Sequence, residues 1–219
     1  MMRSPKNIKS GNDMLKLRGF TISNYFNMVK MALIEKDIPF EFVDVRPSQE
    51  EDFLSISPMG KVPSLETDQG FISETDVIFD YLEDLGQGQK LLPEDPYQRA
   101  KTRELIKEIE LYIELPARTC FAEAFFGGSV SDETKEKAKA ALEKGVACLK
   151  RNGKFSPFIA GDSFSYADIM FMYSVSLAGS CAKRVLDMDL MGDFPEAKKL
   201  LAELNGRESA KKVAADQKG

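Results

Sequence analysis

The feature that most limits the fold is a change of texture near residue 96. Before it, apolar residues switch between the spacing of strands and that of helices; after it, only helical spacing remains. Leu15, Leu17 and Gly19 alternate with Lys16 and Arg18, which predicts a half-buried strand ending at Phe20. Phe26, Val29 and Leu33 then fall at i, i+3 and i+7, so a helix begins near Ser23 and stops at Ile38 and Pro39. Phe40 to Val45 reads as a second strand, and a β-α-β opening implies a parallel pair with a right-handed crossover. Glu50 to Ile56 predicts a short helix. Val62 to Leu65 and Gly70 to Ile72 flank Asp68-Gln69-Gly70 as a hairpin. Val77, Ile78, Tyr81, Leu82 and Leu85 form a helical stripe behind Ser73, Glu74 and Thr75, and Gly86 and Gly88 end it.

Beyond Leu92-Pro93-Glu94-Asp95-Pro96 the chain reads as helices. Leu105, Ile106, Ile109 and Ile113 mark a long one in which Pro116 predicts a kink or a break. Ser131 to Lys150 is a second, with Glu133 and Lys137 at i, i+4. A third follows Ser165 through an almost wholly apolar stretch to Ala182, the mark of a buried central helix. A fourth runs from Phe194 to about Asn205, and a basic, Ala-rich tail follows. The expected organisation is a disordered arm at 1–13, an α/β domain at 14–88, a linker at 89–97 and an all-α domain at 98–215.

Composition removes several classes of chemistry. The 219 residues contain no histidine, which excludes Ser-His-Asp and Cys-His catalysis and His-ligated metals. Thirty basic against 35 acidic residues give a net charge of −5, unsuited to a protein that grips phosphate backbones, so nucleic acid is not an expected partner. Cys120, Cys148 and Cys181 are odd in number, widely separated and free of any C-x-x-C, which fits a reducing cytoplasm and no metal ribbon. No apolar run reaches 18 residues, so no membrane span is expected, and the first residues lack the apolar core of a signal peptide.

Three local patterns lie in order along this frame. Ser57-Pro58-Met59-Gly60-Lys61-Val62-Pro63-Ser64-Leu65 resembles the NPxGkVPxL stretch of the cytosolic glutathione S-transferase family; Glu74-Thr75 stands where that family has Glu-Ser before its next helix. Phe164-Ser165-Tyr166-Ala167-Asp168 is similar to the fS-x-AD segment that opens the family's buried helix. The resemblance covers nearly everything from Met14 to about Ala215. It implies a thioredoxin-like N-terminal domain that binds glutathione, an all-α helical bundle domain that supplies an electrophile pocket, and a homodimer. It also implies a cis Val62–Pro63 bond that turns the Val62 N–H and C=O towards the cysteinyl unit of glutathione. Thr75 is then expected on the γ-glutamyl carboxylate and Glu74 on its ammonium, at a helix start where unpaired N–H groups favour an anion. A nearby helix cap is the plainer use of this pair. Lys61, with Arg46 and Gln49, lies in the region that the family uses for the glycyl carboxylate. Ser165 and Asp168 fit S-x-x-D, a capping box, and are assigned to folding.

Conjugation needs the glutathione sulfur as thiolate, and a thiol of pKa about 8.5 is only a few per cent ionised at neutral pH. Counting back from Ala32-Leu33, the family's catalytic Ser or Cys falls on Ser23. A simple N-cap is its plainer role. Families of this kind often have Pro after that Ser, whereas here the run is Ser23-Asn24-Tyr25-Phe26-Asn27, so Tyr25 is the alternative hydroxyl and Asn24 and Asn27 are alternative amide donors. No cysteine lies between residues 20 and 30, which disfavours the thiol-transfer branch of the family. Tyr112, Arg118, Phe121 and Phe125, with Cys120 and Phe126, are the candidate lining for a hydrophobic electrophile, or else core. The leading expectation is a detoxifying transferase with glutathione as co-substrate and no metal or organic cofactor. The alternatives are glutathione-dependent peroxide or disulfide reduction, and a family-shaped binding or regulatory protein without turnover.

Overall fold

The structure, a computed structural model, describes residues 14–217. The arm expected at 1–13 lies outside the described residues. Two compact units make up the chain: one runs to Leu91 and takes in the segment from Arg207 onward, and the other is Leu92–Gly206.

In the first unit, β1 (Leu15–Gly19), α1 (Asn24–Glu35), β2 (Phe40–Asp44), α2 (Glu51–Leu54), β3 (Ser64–Thr67), β4 (Gly70–Ser73) and α3 (Thr75–Asp84) follow in order. The sheet runs β2-β1-β3-β4, with β1 and β2 parallel and the remaining pairs antiparallel. The alternation in β1 sends Leu15 and Leu17 inward, where they meet Phe26, Val29 and Leu33 of α1, Leu65 of β3 and Ile78 and Leu82 of α3 in one buried core. The outward residues pair across strands: the Arg18 guanidinium Nε donates to Glu66 at 2.9 Å, and Lys16 lies 3.2 Å from the same carboxylate. Gly19 ends β1 at φ +156, and a Cβ there would stand 2.4 Å from the Phe26 ring. The missing side chain lets α1 turn back closely against the strand that it leaves.

Both ends of this unit differ from the sequence expectation. The linker expected from residue 89 begins inside it, because the buried Lys36 ammonium donates to the Glu83 carboxylate at 3.0 Å and to the Gln89 carbonyl at 2.8 Å, while Leu91 N–H donates to Glu83 at 3.2 Å. The tail expected to trail the all-α domain is instead a helix, α10 (Glu208–Asp216), packed with the first unit through Ala210 and Val213. Its apolar stripe is too short to stand out in the sequence.

The second unit is helical: α4 (Pro96–Ile109), α5 (Leu115–Arg118), α6 (Phe121–Phe125), α7 (Asp132–Asn152), α8 (Tyr166–Val185) and α9 (Pro195–Asn205). Asp95 caps α4, accepting from Gln98 N–H at 2.9 Å, with Pro96 at the first helical position where its missing N–H costs nothing. Pro116 does not break the helix. The chain passes through a π-helical turn, Glu110–Glu114, in which Leu115 N–H reaches Glu110 C=O. Pro116 has no N–H for the carbonyl of residue 112, and one wider turn accommodates the loss. α8 is the central helix, with Ile169, Met170, Phe171, Val175 and Ala178 buried around it.

Candidate functional site

Strand register decides where the site lies. Arg18 of β1 stands opposite Ser64 of β3, and Ser64 stands opposite Ser73 of β4. β3 runs against both neighbours. The residues just after β1, just before β3 and just after β4 therefore emerge together at one end of the sheet. These are the turn carrying Ser23, the Val62–Pro63 pair and Glu74–Thr75. The row spans two interstrand spacings, about 10 Å, which is also roughly the reach of three extended residues. The arrangement suits a tripeptide laid across the strand ends.

Each segment is held by its own local bonds. Ser23 is the N-cap of α1, at φ −70 and ψ 118, and its Oγ accepts from Phe26 N–H at 3.3 Å. A cap uses a lone pair of the oxygen and leaves the hydroxyl proton available to a ligand. Its own N–H donates to Phe20 C=O at 3.0 Å. Tyr25 is half-buried and lies two positions on, turned by about 200° around the helix from Ser23. Asn27 is buried and its Nδ2 donates to Thr21 C=O at 2.7 Å, a bond that holds the turn. Asn24 is also buried.

The loop before β3 closes on Ser57, whose C=O accepts from Gly60 N–H at 2.7 Å and whose Oγ accepts from Lys61 N–H at 3.2 Å. Gln49 lies outside it and donates to Met59 C=O at 3.3 Å, which makes it a clamp on this loop. Arg46 lies over the Phe20 ring at 4.4 Å, and Lys61 is exposed. The Val62–Pro63 bond is cis. At the third segment Glu74 adopts φ +69 and ψ 122, a left-handed setting that costs a residue with a Cβ on the order of 1–3 kcal/mol. Glu74 is exposed, Thr75 is 6% exposed, and α3 starts between them, so both stand at the helix end that favours an anion.

Comparison with known proteins places this geometry. Residues 17–90 match the family model for the glutathione S-transferase N-terminal domain, and residues 118–216 match that for the C-terminal domain. A glutathione S-transferase of Pseudomonas putida is 55% identical over 204 residues, covering 93% of each chain. The chain belongs to the glutathione S-transferase family. A maleylacetoacetate isomerase of Methylobacterium extorquens, solved with malonate and glutathione bound, is similar at a TM-score of 0.71 and 26% identity, covering 90% of this chain and 95% of that one. Poplar glutathione transferase F1 shares the fold at a TM-score of 0.76 and 24% identity, over 94% of this chain and 98% of its own.

In the helical unit of this transferase the residues expected around a second substrate separate into two groups. Cys120 and Phe121 are in the packed interior, 0% and 8% exposed, whereas Tyr112 on the π turn and Phe126 after α6 are exposed. Phe121 meets Phe125 edge to face at 5.1 Å, and the Arg118 guanidinium lies 5.1 Å above the Phe121 ring while its Nε donates to Glu114 at 2.7 Å. Arg184 covers Phe125 from α8 at 5.2 Å, a contact that the sequence reading missed because nothing local links the two residues.

Ser165 and Asp168 open α8. The Asp168 carboxylate is fully buried and accepts from Ser165 N–H at 2.8 Å, Ser165 Oγ–H at 2.9 Å and Ile159 N–H at 2.8 Å. Burial pushes its pKa up to about 6 although these donors pull the other way. The three cysteines are free thiols, and burial raises Cys181 to about 11, far from the range of a reactive thiolate. Among the described residues no group of three or more His, Cys, Asp or Glu is placed to hold a metal, and no helix is long and apolar enough to cross a membrane.

Proposed function

We propose that this glutathione transferase binds glutathione across the strand ends of its first unit and activates the sulfur through the Ser23 hydroxyl. The observation that carries the reading is the strand register, which brings the Ser23 turn, Val62–Pro63 and Glu74–Thr75 to one end of the sheet. The Val62 backbone receives the cysteinyl unit. Thr75 and the start of α3 take the γ-glutamyl carboxylate, Glu74 takes the ammonium, and Lys61 takes the glycyl carboxylate.

Lowering the thiol pKa by two units requires about 2.7 kcal/mol of preference for the thiolate. A hydroxyl bond to a charged acceptor supplies roughly 1.5–3 kcal/mol and a helix N-terminus about 0.3–1 kcal/mol, so Ser23 at the mouth of α1 meets the requirement. On binding, the thiol proton passes to water and the sulfur lone pair turns towards the Ser23 O–H. That thiolate then forms a carbon–sulfur bond with an electrophilic carbon, either expelling a leaving group with its electron pair or adding to a conjugated bond. Glutathione is the co-substrate and the step needs no further cofactor. Tyr112, Arg118 and Phe125 are assigned to the side of a hydrophobic electrophile, in a cytoplasmic homodimer. A light-scattering mass of a single 24.5 kDa chain would remove the dimer from this reading.

The test is ultraviolet difference absorption of bound glutathione against pH, for wild type, Ser23→Ala and Tyr25→Phe. A bound thiol that ionises well below 8.5 in wild type and returns towards it in Ser23→Ala supports the assignment. Loss of the shift in Tyr25→Phe alone transfers the role to Tyr25. Binding without any shift overturns thiol activation.

A further inference from the structure

The last helix of the chain returns to the start of α1. Thr21 C=O, two residues before Ser23, accepts from Asn27 Nδ2 at 2.7 Å and from Gln217 Nε2 at 3.1 Å. A carbonyl has two lone pairs, and both are engaged here, one from inside α1 and one from just beyond α10. Asp216, on the last turn of α10, pairs with the Lys30 ammonium. Lys30 has a side chain only 7% exposed and lies over the rings of Phe26 at 5.9 Å and Phe42 at 5.5 Å. Phe26 is also the residue whose N–H is bound by Ser23 Oγ.

At the far end of α1, Glu35 is gripped by Arg207, whose Nε and Nη2 donate to its two oxygens at 2.8 and 2.7 Å, and by the Ser209 hydroxyl. Burial would raise the Glu35 carboxyl, but these donors outweigh it and hold the group below the ordinary carboxylate value. α10 thus runs antiparallel to α1, with a planar two-bond clamp at one end and an ion pair plus an amide bond at the other. Apolar packing by Ala210 and Val213 alone would hold α10 in place without fixing the rotation of α1 or the height of the Thr21 turn. The polar contacts fix both.

We propose that α10 is a positioning element for thiol activation, in which Asp216 and Gln217 set the Thr21–Ser23 turn and so aim the Ser23 hydroxyl. The proposal rests on Ser23 as the thiolate donor. Alignment of a single O–H with a sulfur is sensitive to displacements of a fraction of an ångström, whereas the other glutathione contacts come from segments that α10 does not hold. Loss of the two α10 contacts therefore affects activation more than binding.

The experiment uses the full chain carrying Asp216→Ala and Gln217→Ala together, beside Asp216→Glu as the conservative variant. Bound glutathione is titrated by its thiolate absorption, and kcat and KM are measured with a nitroaryl halide. In the double variant the thiol pKa rises by about half a unit to one unit and kcat falls roughly 3–10-fold below that pKa, a tenfold change in thiolate for each unit. KM for glutathione moves less than twofold, and Asp216→Glu recovers most of kcat. A double variant with the wild-type thiol pKa and kcat overturns the proposal. So does a loss confined to KM or to melting temperature, which marks α10 as packing only. A wild type that leaves the thiol unshifted overturns the Ser23 reading itself, and this proposal with it.

Discussion

Replacing Asp168 by Ala strands two buried backbone amides. In the wild type its carboxylate accepts from Ile159 N–H and Ser165 N–H, both at 2.8 Å, at a residue with no exposed surface. An alanine methyl accepts from neither, and each stranded amide costs roughly 1–3 kcal/mol, about 2–6 kcal/mol together. Relief of the buried charge, about 3 kcal/mol at neutral pH, opposes this loss and leaves a net of at most about 3 kcal/mol there, or a melting temperature up to about 10 °C lower for a chain of this size. The pH dependence gives a second measure. The Asp168 pKa stands at about 6 in the folded protein against an ordinary 3.8, so between those values the native state holds more proton than the unfolded chain. Wild-type stability therefore falls as pH rises through that window, by about 3 kcal/mol in all. Asp168→Ala lacks the group. Its deficit against wild type is smallest above pH 6 and widens as pH falls towards 4. The protein has no Trp, so urea unfolding followed by far-ultraviolet circular dichroism at pH 7 and pH 4.5 is the suitable assay. Glutathione affinity per folded molecule stays near normal. A variant within about 0.5 kcal/mol of wild type at pH 4.5, where the wild-type carboxyl is largely neutral and the stranded amides count in full, refutes the reasoning. A deficit that narrows on acidification shows that the three donors, and not burial, set the charge on this carboxyl.

Gly145→Ala adds a Cβ 2.1 Å from the Tyr112 carbonyl oxygen, so α7 must withdraw from the π turn. Helix propensity favours Ala by about 1 kcal/mol, overpacking against backbone costs about 1–3 kcal/mol or more, and urea unfolding should show a net loss; a gain would place α7 farther from the turn. Glu74→Gly relieves the strained φ of +69 while deleting the proposed ammonium partner. Stability should hold or rise by up to about 1 kcal/mol, and calorimetry should show glutathione binding weakened roughly 10–100-fold; unchanged affinity removes Glu74 from the site.

What was legible in the sequence had local causes. Alternation in Leu15-Lys16-Leu17-Arg18-Gly19 needs only a sheet with one covered face, and β1 buries Leu15, Leu17 and Gly19. The caps at Ser23 and Ser165 were visible because a cap and its partner lie three residues apart, as do Ser23 and Phe26 N–H. What stayed hidden depends on distant partners. Pro116 alone cannot say whether a helix kinks, breaks or widens; the π turn also needs a neighbour able to approach, which Gly145 supplies on α7. α10 escaped notice because Ser209, Ala210 and Val213 make a one-turn stripe, while the pairs that bind it join residues 172 and 186 positions apart. No window of sequence contains both halves of such a contact.

The same distinction separates the proposed binding groups from the proposed activating group within the candidate site. Val62 and Thr75 are carried by the ends of adjacent strands and by the first turn of α3, on a sheet whose register is fixed by the buried Leu15, Leu17 and Leu65. Their placement follows from the core, and surface substitutions elsewhere leave it alone. Ser23 sits in a turn between Phe20 and Asn24, outside any strand, and its position is set by hydrogen bonds from Asn27 and Gln217 to Thr21 and by the contact of Gly19 with the Phe26 ring. Hydrogen bonds at a turn have less to restrain them than a strand inside a sheet. Perturbations of the core at Leu15, Leu17 or Leu65 should therefore lower glutathione affinity and stability together, whereas perturbations at residues 20–23 and 27 or at 216–217 should lower kcat at nearly constant affinity. A survey of substitutions in which both classes moved KM alone would show that thiol activation does not depend on this turn.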